Sequence, residues 1–124
     1  MRNSVSFFKL WVPVIVYAVF IFWMSSSEEP LILKLTFLHA DKLIHFLEYS
    51  IFGFLLVRAL HGSGVKMARR SLLFLTFVIG AFYGFTDELH QSVVPGRFAT
   101  VTDFIFDLIG TFVGAVTFIT LNRE

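Results

Sequence analysis

Apolar residues run through four stretches of the chain, at 8–24, 43–60, 71–88 and 104–121. Each has about 18 residues, and at 1.5 Å per residue a helix of that length covers roughly 27 Å, nearly the ~30 Å hydrocarbon core of a bilayer. Little tilt is expected of helices this short. Ser71 is a candidate N-cap for the third, and Thr100-Val-Thr-Asp103 before Phe104 resembles a capping box for the fourth. Gly62-Ser-Gly64 and Pro95-Gly96 fall between the stretches as helix breakers. With no internal repeat or low-complexity tract, the economical reading is an all-α integral membrane protein, one domain over residues 1–124 folded as a four-transmembrane-helix bundle.

Composition agrees with a lipid-embedded chain. Hydrophobic residues make up 56% and charged residues 15%, and 17 of the 124 residues are Phe; a soluble domain is roughly half apolar and a quarter charged. Mean hydropathy is +0.79. A net charge of +1 without a basic run argues against a nucleic-acid partner. The absence of Cys removes disulfides, thiolate nucleophiles and Cys-ligated zinc, and leaves the redox compartment open.

The distribution of Lys and Arg orients the bundle. Arg2, Lys9, Arg58, Lys66, Arg69, Arg70 and Arg123 fall on one side, against Lys34, Lys42 and Arg97 on the other. The positive-inside tendency then places both termini in the cytoplasm and the connections 25–42 and 89–103 outside, with Arg58 snorkelling inward. A cleavable signal peptide is the rival reading of Arg2, Lys9, the apolar run and Ser25-Ser-Ser27. Trp11, Tyr17 and Trp23 suit a retained helix with aromatic residues near the interfaces, and Pro13 is tolerated near its start.

The polar residues inside the spans carry the chemistry. Asp41, His45 and Glu48 step by four and three along the second span, and Phe52 continues that stripe. Gly80, Gly84, Asp87 and Gln91 form a matching stripe on the third, with Tyr83 one turn before Asp87. Asp103, Asp107, Gly110 and Gly114 form one on the fourth. Each helix thus has acids toward its outer end and small residues deeper, where Gly-xxx-Gly spacing permits close helix approach and a possible homo-oligomer contact. Glu48 is expected roughly 8 Å inside and Asp107 about one turn inside from the same face.

That layer holds Asp41, Glu48, Asp87, Glu88, Asp103 and Asp107 against Lys42 and Arg97. Ion pairing alone leaves carboxylates over, so some are protonated, exposed to water, or share a cation. Simpler roles stand beside each: a helix-start acid for Asp103, solvated loop positions for Asp41 and Lys42, and an interhelical hydrogen-bond clasp for Glu48, Asp87 and Asp107. His90 lies off the stripe and outside the expected site. No P-loop, zincin, Ser-elbow or dinucleotide motif is present.

The order Asp41-Lys-Leu-Ile-His45-Phe-Leu-Glu48-Tyr49, Gly53, Tyr83-Gly-Phe-Thr-Asp87-Glu88-Leu-His-Gln91, Pro95-Gly-Arg97, Asp103, Asp107, Gly110 and Gly114 resembles the VanZ-like family over residues 20–115. The resemblance implies a small multi-helix protein of the bacterial cell membrane, with a founding link to teicoplanin (lipoglycopeptide) resistance or envelope homeostasis and no defined reaction. One departure is the end of the first helix, Phe22-Trp-Met-Ser-Ser-Ser-Glu-Glu-Pro30, where relatives are expected to carry Ser-Ser-Gln.

Three functions compete. In the first, an extracytoplasmic site binds or modifies a membrane lipid or lipid-linked envelope precursor. His45, Glu48, Asp87, Glu88 and Asp107 act as acid, base or proton carriers, while Lys42, Tyr83, Gln91 and Arg97 hold a phosphate-bearing headgroup. A divalent cation is a possible cofactor, with Asp87, Glu88, Asp103, Asp107 and His45 as candidate ligands. In the second, the same residues bind or shield a lipid without chemistry. The third is a proton-linked carrier subunit, which four short helices could form only as an oligomer.

Overall fold

A computed structural model describes residues 4–26, 40–97 and 99–123. The Ser27–Pro30 segment of the departure noted above and Lys34 lie outside the described residues. Four helices follow in order: α1 (Ser4–Ser26), α2 (Ala40–Gly62), α3 (Arg69–Ser92) and α4 (Val101–Leu121). All four are long and apolar enough to cross a membrane, and no strand occurs among the described residues.

Every helix starts before its apolar stretch, and the first three also run past its end, because polar residues continue the helical turns beyond the apolar run. Asp41 and Lys42 therefore sit in the first turn of α2 rather than in a loop. Glu48 is about two turns in, roughly 12 Å along the helix from its start. Ser71 does not cap α3: the helix starts at Arg69, its N-cap is Ala68, and that cap makes no side-chain hydrogen bond. Thr100 does cap α4, its Oγ1 accepting from the Asp103 N–H at 3.1 Å. Gly64 (φ 82°) and Gly96 (φ 78°) take left-handed conformations in the two described connections, which a side chain would disfavour.

Packing is built on glycine where helices come closest. A methyl on Gly114 would collide with the Ser50 carbonyl, one on Gly110 would lie 2.5 Å from the Phe46 carbonyl oxygen, and one on Gly53 would strike the Thr111 backbone. Backbone thus meets backbone between α2 and α4. On α3, Gly80 abuts the Thr111 side chain and Gly84 abuts Asp107. Both Gly-xxx-Gly faces are therefore filled by the chain's own helices.

Two apolar clusters complete the bundle. Val14 and Ile21 of α1 pack on Tyr49, Phe52, Leu56 and Ala59 of α2. Val57, Leu72, Ala115 and Phe118 close the end at which α2 turns into α3. Many large apolar side chains point outward instead, among them Phe74 and Phe82, each 70% exposed. That distribution suits hydrocarbon surroundings, where an outward Phe costs nothing.

Pro13 leaves one backbone acceptor bare inside α1, since its ring has no N–H for the Lys9 carbonyl four residues earlier. Arg58 of α2 donates to that carbonyl at 3.4 Å. In hydrocarbon an unpaired carbonyl costs several kcal/mol, which gives this cation a structural task.

Candidate functional site

The up-and-down order of the helices brings the end of α1, the start of α2, the end of α3 and the start of α4 to one end of the bundle. Ser25, His45, Asp87, Glu88, Gln91, Asp103 and Asp107 are all buried there. Acids in the first turns of α2 and α4, Asp41 and Asp103, face the positive ends of their helix dipoles. Asp87 and Glu88 lie near the C-terminus of α3, where the dipole offers no help, so their partners must come from other helices.

His45 is the centre. Its Nδ1 is hydrogen-bonded to Asp107 Oδ1 at 2.8 Å and lies 3.9 Å from Glu88 Oε1, while its Nε2 is 3.8 Å from Asp103 Oδ2. Asp107 is fully buried, set there by the glycine contacts that draw α4 onto α2 and α3. One ligating atom from each of His45, Asp87, Glu88 and Asp107 can be chosen so that all lie within 4.8 Å of one another. At that separation and an effective dielectric of ~20, each unneutralised pair of carboxylates costs about 3.5 kcal/mol.

Asp87 is held by a second network. Ser25 Oγ donates to Asp87 Oδ1, Tyr49 OH donates to Asp87 Oδ2 at 3.2 Å, and Gln91 Nε2 donates to Ser25 Oγ at 3.2 Å. Glu88 has one satisfied oxygen, Oε2, which accepts from the Thr100 N–H at 3.3 Å. Glu88 Oε1 and Asp107 Oδ2 are buried without a hydrogen-bond partner among the described residues.

The expected headgroup-binding residues divide. Lys42 Nζ is 2.6 Å from both Asp41 Oδ2 and Asp103 Oδ1, so its charge is committed to two acids. Tyr83 OH donates to the Ala18 carbonyl of α1, and Gln91 serves Ser25. Arg97 joins Met24, Ser25, Asp41, Ile44, His45 and Glu48 around a cleft of about 20 Å³. That space admits one water-sized group. Arg97 lines this cleft, and its Nη1 is buried without a hydrogen-bond partner among the described residues. His90 stays apart, stacked on Phe22 with ring centroids 4.3 Å apart.

Sequence reasoning assigned no role to Ser25 or Tyr49. Tyr49 was within reach, one turn after His45 on the same helix side. Ser25 carried no such signal, because its neighbours in space are 62 and 66 residues away in sequence.

A sequence model of the VanZ/LLP1 family matches residues 2–122. No curated protein and no solved structure matches the chain significantly.

Proposed function

From the premise that this chain belongs to the VanZ/LLP1 family and is a VanZ-like multi-pass envelope protein, we propose that its buried site binds or modifies a phosphate-bearing membrane lipid or lipid-linked precursor at the extracytoplasmic face. The observation that carries this reading is the cleft beside His45 and Arg97. A His held in place by a buried Asp is the arrangement of an oriented general acid or base. Next to it, the guanidinium of Arg97, with one nitrogen lacking a hydrogen-bond partner among the described residues, suits a phosphate oxygen.

The size of the cleft limits the pose. Only one oxygen of a headgroup, or one water, enters between His45, Glu48 and Arg97, while the rest of the headgroup lies at the mouth. His45 then moves a proton to or from the entering oxygen through Nε2, with Asp107 fixing the ring from Nδ1. Asp41 and Asp103 hold Lys42 beside the site as a neutralising cation. The side of the membrane rests on the Lys and Arg distribution, and a contribution to lipoglycopeptide tolerance rests on the family resemblance.

The test is mass spectrometry of envelope lipids and lipid-linked precursors from cells expressing wild type, Glu88→Gln, or no protein. A species that appears or disappears only with wild type is the expected result. Identical pools with a resistance phenotype retained would refute chemistry and establish the binding or shielding role.

A further inference from the structure

We propose that His45, Asp87, Glu88 and Asp107 form a binding site for a divalent transition-metal ion. The acids alone would not carry this, since carboxylates gather for many reasons. What points to a ligand is the pair of oxygens left over: Asp107 is fully buried and its Oδ2 has no hydrogen-bond partner among the described residues, and Glu88 Oε1, in a side chain about nine-tenths buried, has none either. A buried carboxylate oxygen without a donor keeps an uncompensated desolvation penalty. Two of them beside one His ask for a shared positive charge.

The geometry admits an ion. Ligands bound at 2.0–2.2 Å lie up to ~4.4 Å apart across an octahedral ion and ~3.4 Å apart around a tetrahedral one, so atoms spread over as much as 4.8 Å need to close by a few tenths of an ångström for the first and by at most about 1.4 Å for the second. The 2.8 Å between His45 Nδ1 and Asp107 Oδ1 is near the ~3 Å expected of adjacent ligands of an octahedral ion. An ion there takes the place of the proton between them. One imidazole with carboxylates suits Mn²⁺, Fe²⁺ or Zn²⁺ better than Mg²⁺ or Ca²⁺, which prefer oxygen alone.

The surroundings fit this assignment. The Ser25, Tyr49 and Gln91 network orients Asp87, and the Thr100 N–H holds Glu88 by Oε2, leaving Oε1 to turn inward. Such outer contacts typically account for 10–100-fold in metal affinity. The ion also answers an electrostatic difficulty in the proposed function: a phosphate approaching this many carboxylates needs more than Arg97. That bridging role rests on the lipid reading, whereas ion binding itself does not.

The full-length protein, purified in detergent and stripped with chelator, is titrated with Mn²⁺ or Zn²⁺ by calorimetry, with Mg²⁺ as comparison. Wild type is expected to bind one ion of Mn²⁺ or Zn²⁺ per chain and to unfold at a higher temperature when loaded, by mass action. His45→Asn and Asp107→Asn are expected to lose at least ~10-fold in affinity and most of the thermal shift. If Asp107→Asn fails to fold, Glu88→Gln decides, because it removes an unpartnered oxygen while keeping the side chain's shape. Folded wild type that binds no Mn²⁺ or Zn²⁺ at about 1 mM overturns the proposal. So does an affinity unchanged in every folded variant. Ion binding with unaltered lipid pools would sink the lipid-modification reading and leave the metal site standing; altered pools without ion binding would do the reverse.

Discussion

Gly84 and Gly114 look alike in sequence, each the second glycine of a Gly-xxx-Gly pair, yet the structure predicts different responses to Ala. A methyl on Gly114 collides with the Ser50 carbonyl and comes within 2.8 Å of the Phe54 nitrogen, both backbone atoms of α2. Ordinary contact begins at 3.4 Å, so α2 and α4 must separate, by about 1 Å if the shift is shared along the interface. Such a gap forfeits a quarter to a half of the dispersion energy across the closest helix pair, and overpacking of this kind costs about 1–3 kcal/mol. The same movement stretches the 2.8 Å bond between His45 on α2 and Asp107 on α4 toward the limit of hydrogen bonding. A methyl on Gly84 instead meets side chains, Asp107 Cβ at 3.3 Å and Tyr49 Cε1 at 3.5 Å. The up to ~1 kcal/mol that Ala gains over Gly in a helix offsets that modest crowding.

Thermal unfolding in detergent should therefore place Gly84→Ala close to wild type and Gly114→Ala clearly below it. The lipid effect should be weakened in Gly114→Ala and retained in Gly84→Ala. Equal stability of the two variants, or a stable Gly114→Ala with full lipid effect, would refute the argument that backbone contact between α2 and α4 sets the site.

Two further substitutions separate residues that share the site's neighbourhood. Tyr83→Phe removes the donor to the Ala18 carbonyl and should cost about 1 kcal/mol by loosening α1, with the lipid effect retained; loss of that effect at unchanged stability would return Tyr83 to the headgroup. Lys42→Met leaves the buried Asp103 without its cation and should destabilise by about 3 kcal/mol in thermal unfolding, with Lys42→Met/Asp103→Asn recovering much of the loss; no recovery in the double variant would show that Lys42 acts through something other than that pair.

Four long apolar runs admit few folds in a bilayer, because backbone groups in hydrocarbon must be bonded within their own helix. The number of spans and their approximate places were thus legible along the chain. So were the stripes Asp41-His45-Glu48, Gly80-Gly84-Asp87-Gln91 and Asp103-Asp107-Gly110-Gly114, since helical spacing alone puts those residues on common faces. Helix starts were less legible: Ser71 has the right chemistry for a cap, but α3 begins two residues earlier without one.

Tertiary structure decided which polar groups are spent and which are left. Lys42 and Arg97 are both cations at the same end of the bundle, yet Lys42 is tied to Asp41 and Asp103 while Arg97 Nη1 has no hydrogen-bond partner among the described residues. Tyr83 lies on the expected side of α3, but its hydroxyl reaches past the acids to α1, and the donors to Asp87 are Ser25 and Tyr49. Helical periodicity gives the direction of a side chain from its own axis. Whether a donor on another helix arrives within 3 Å depends on how closely the helices approach, and here glycine contacts deep in the bundle set that distance.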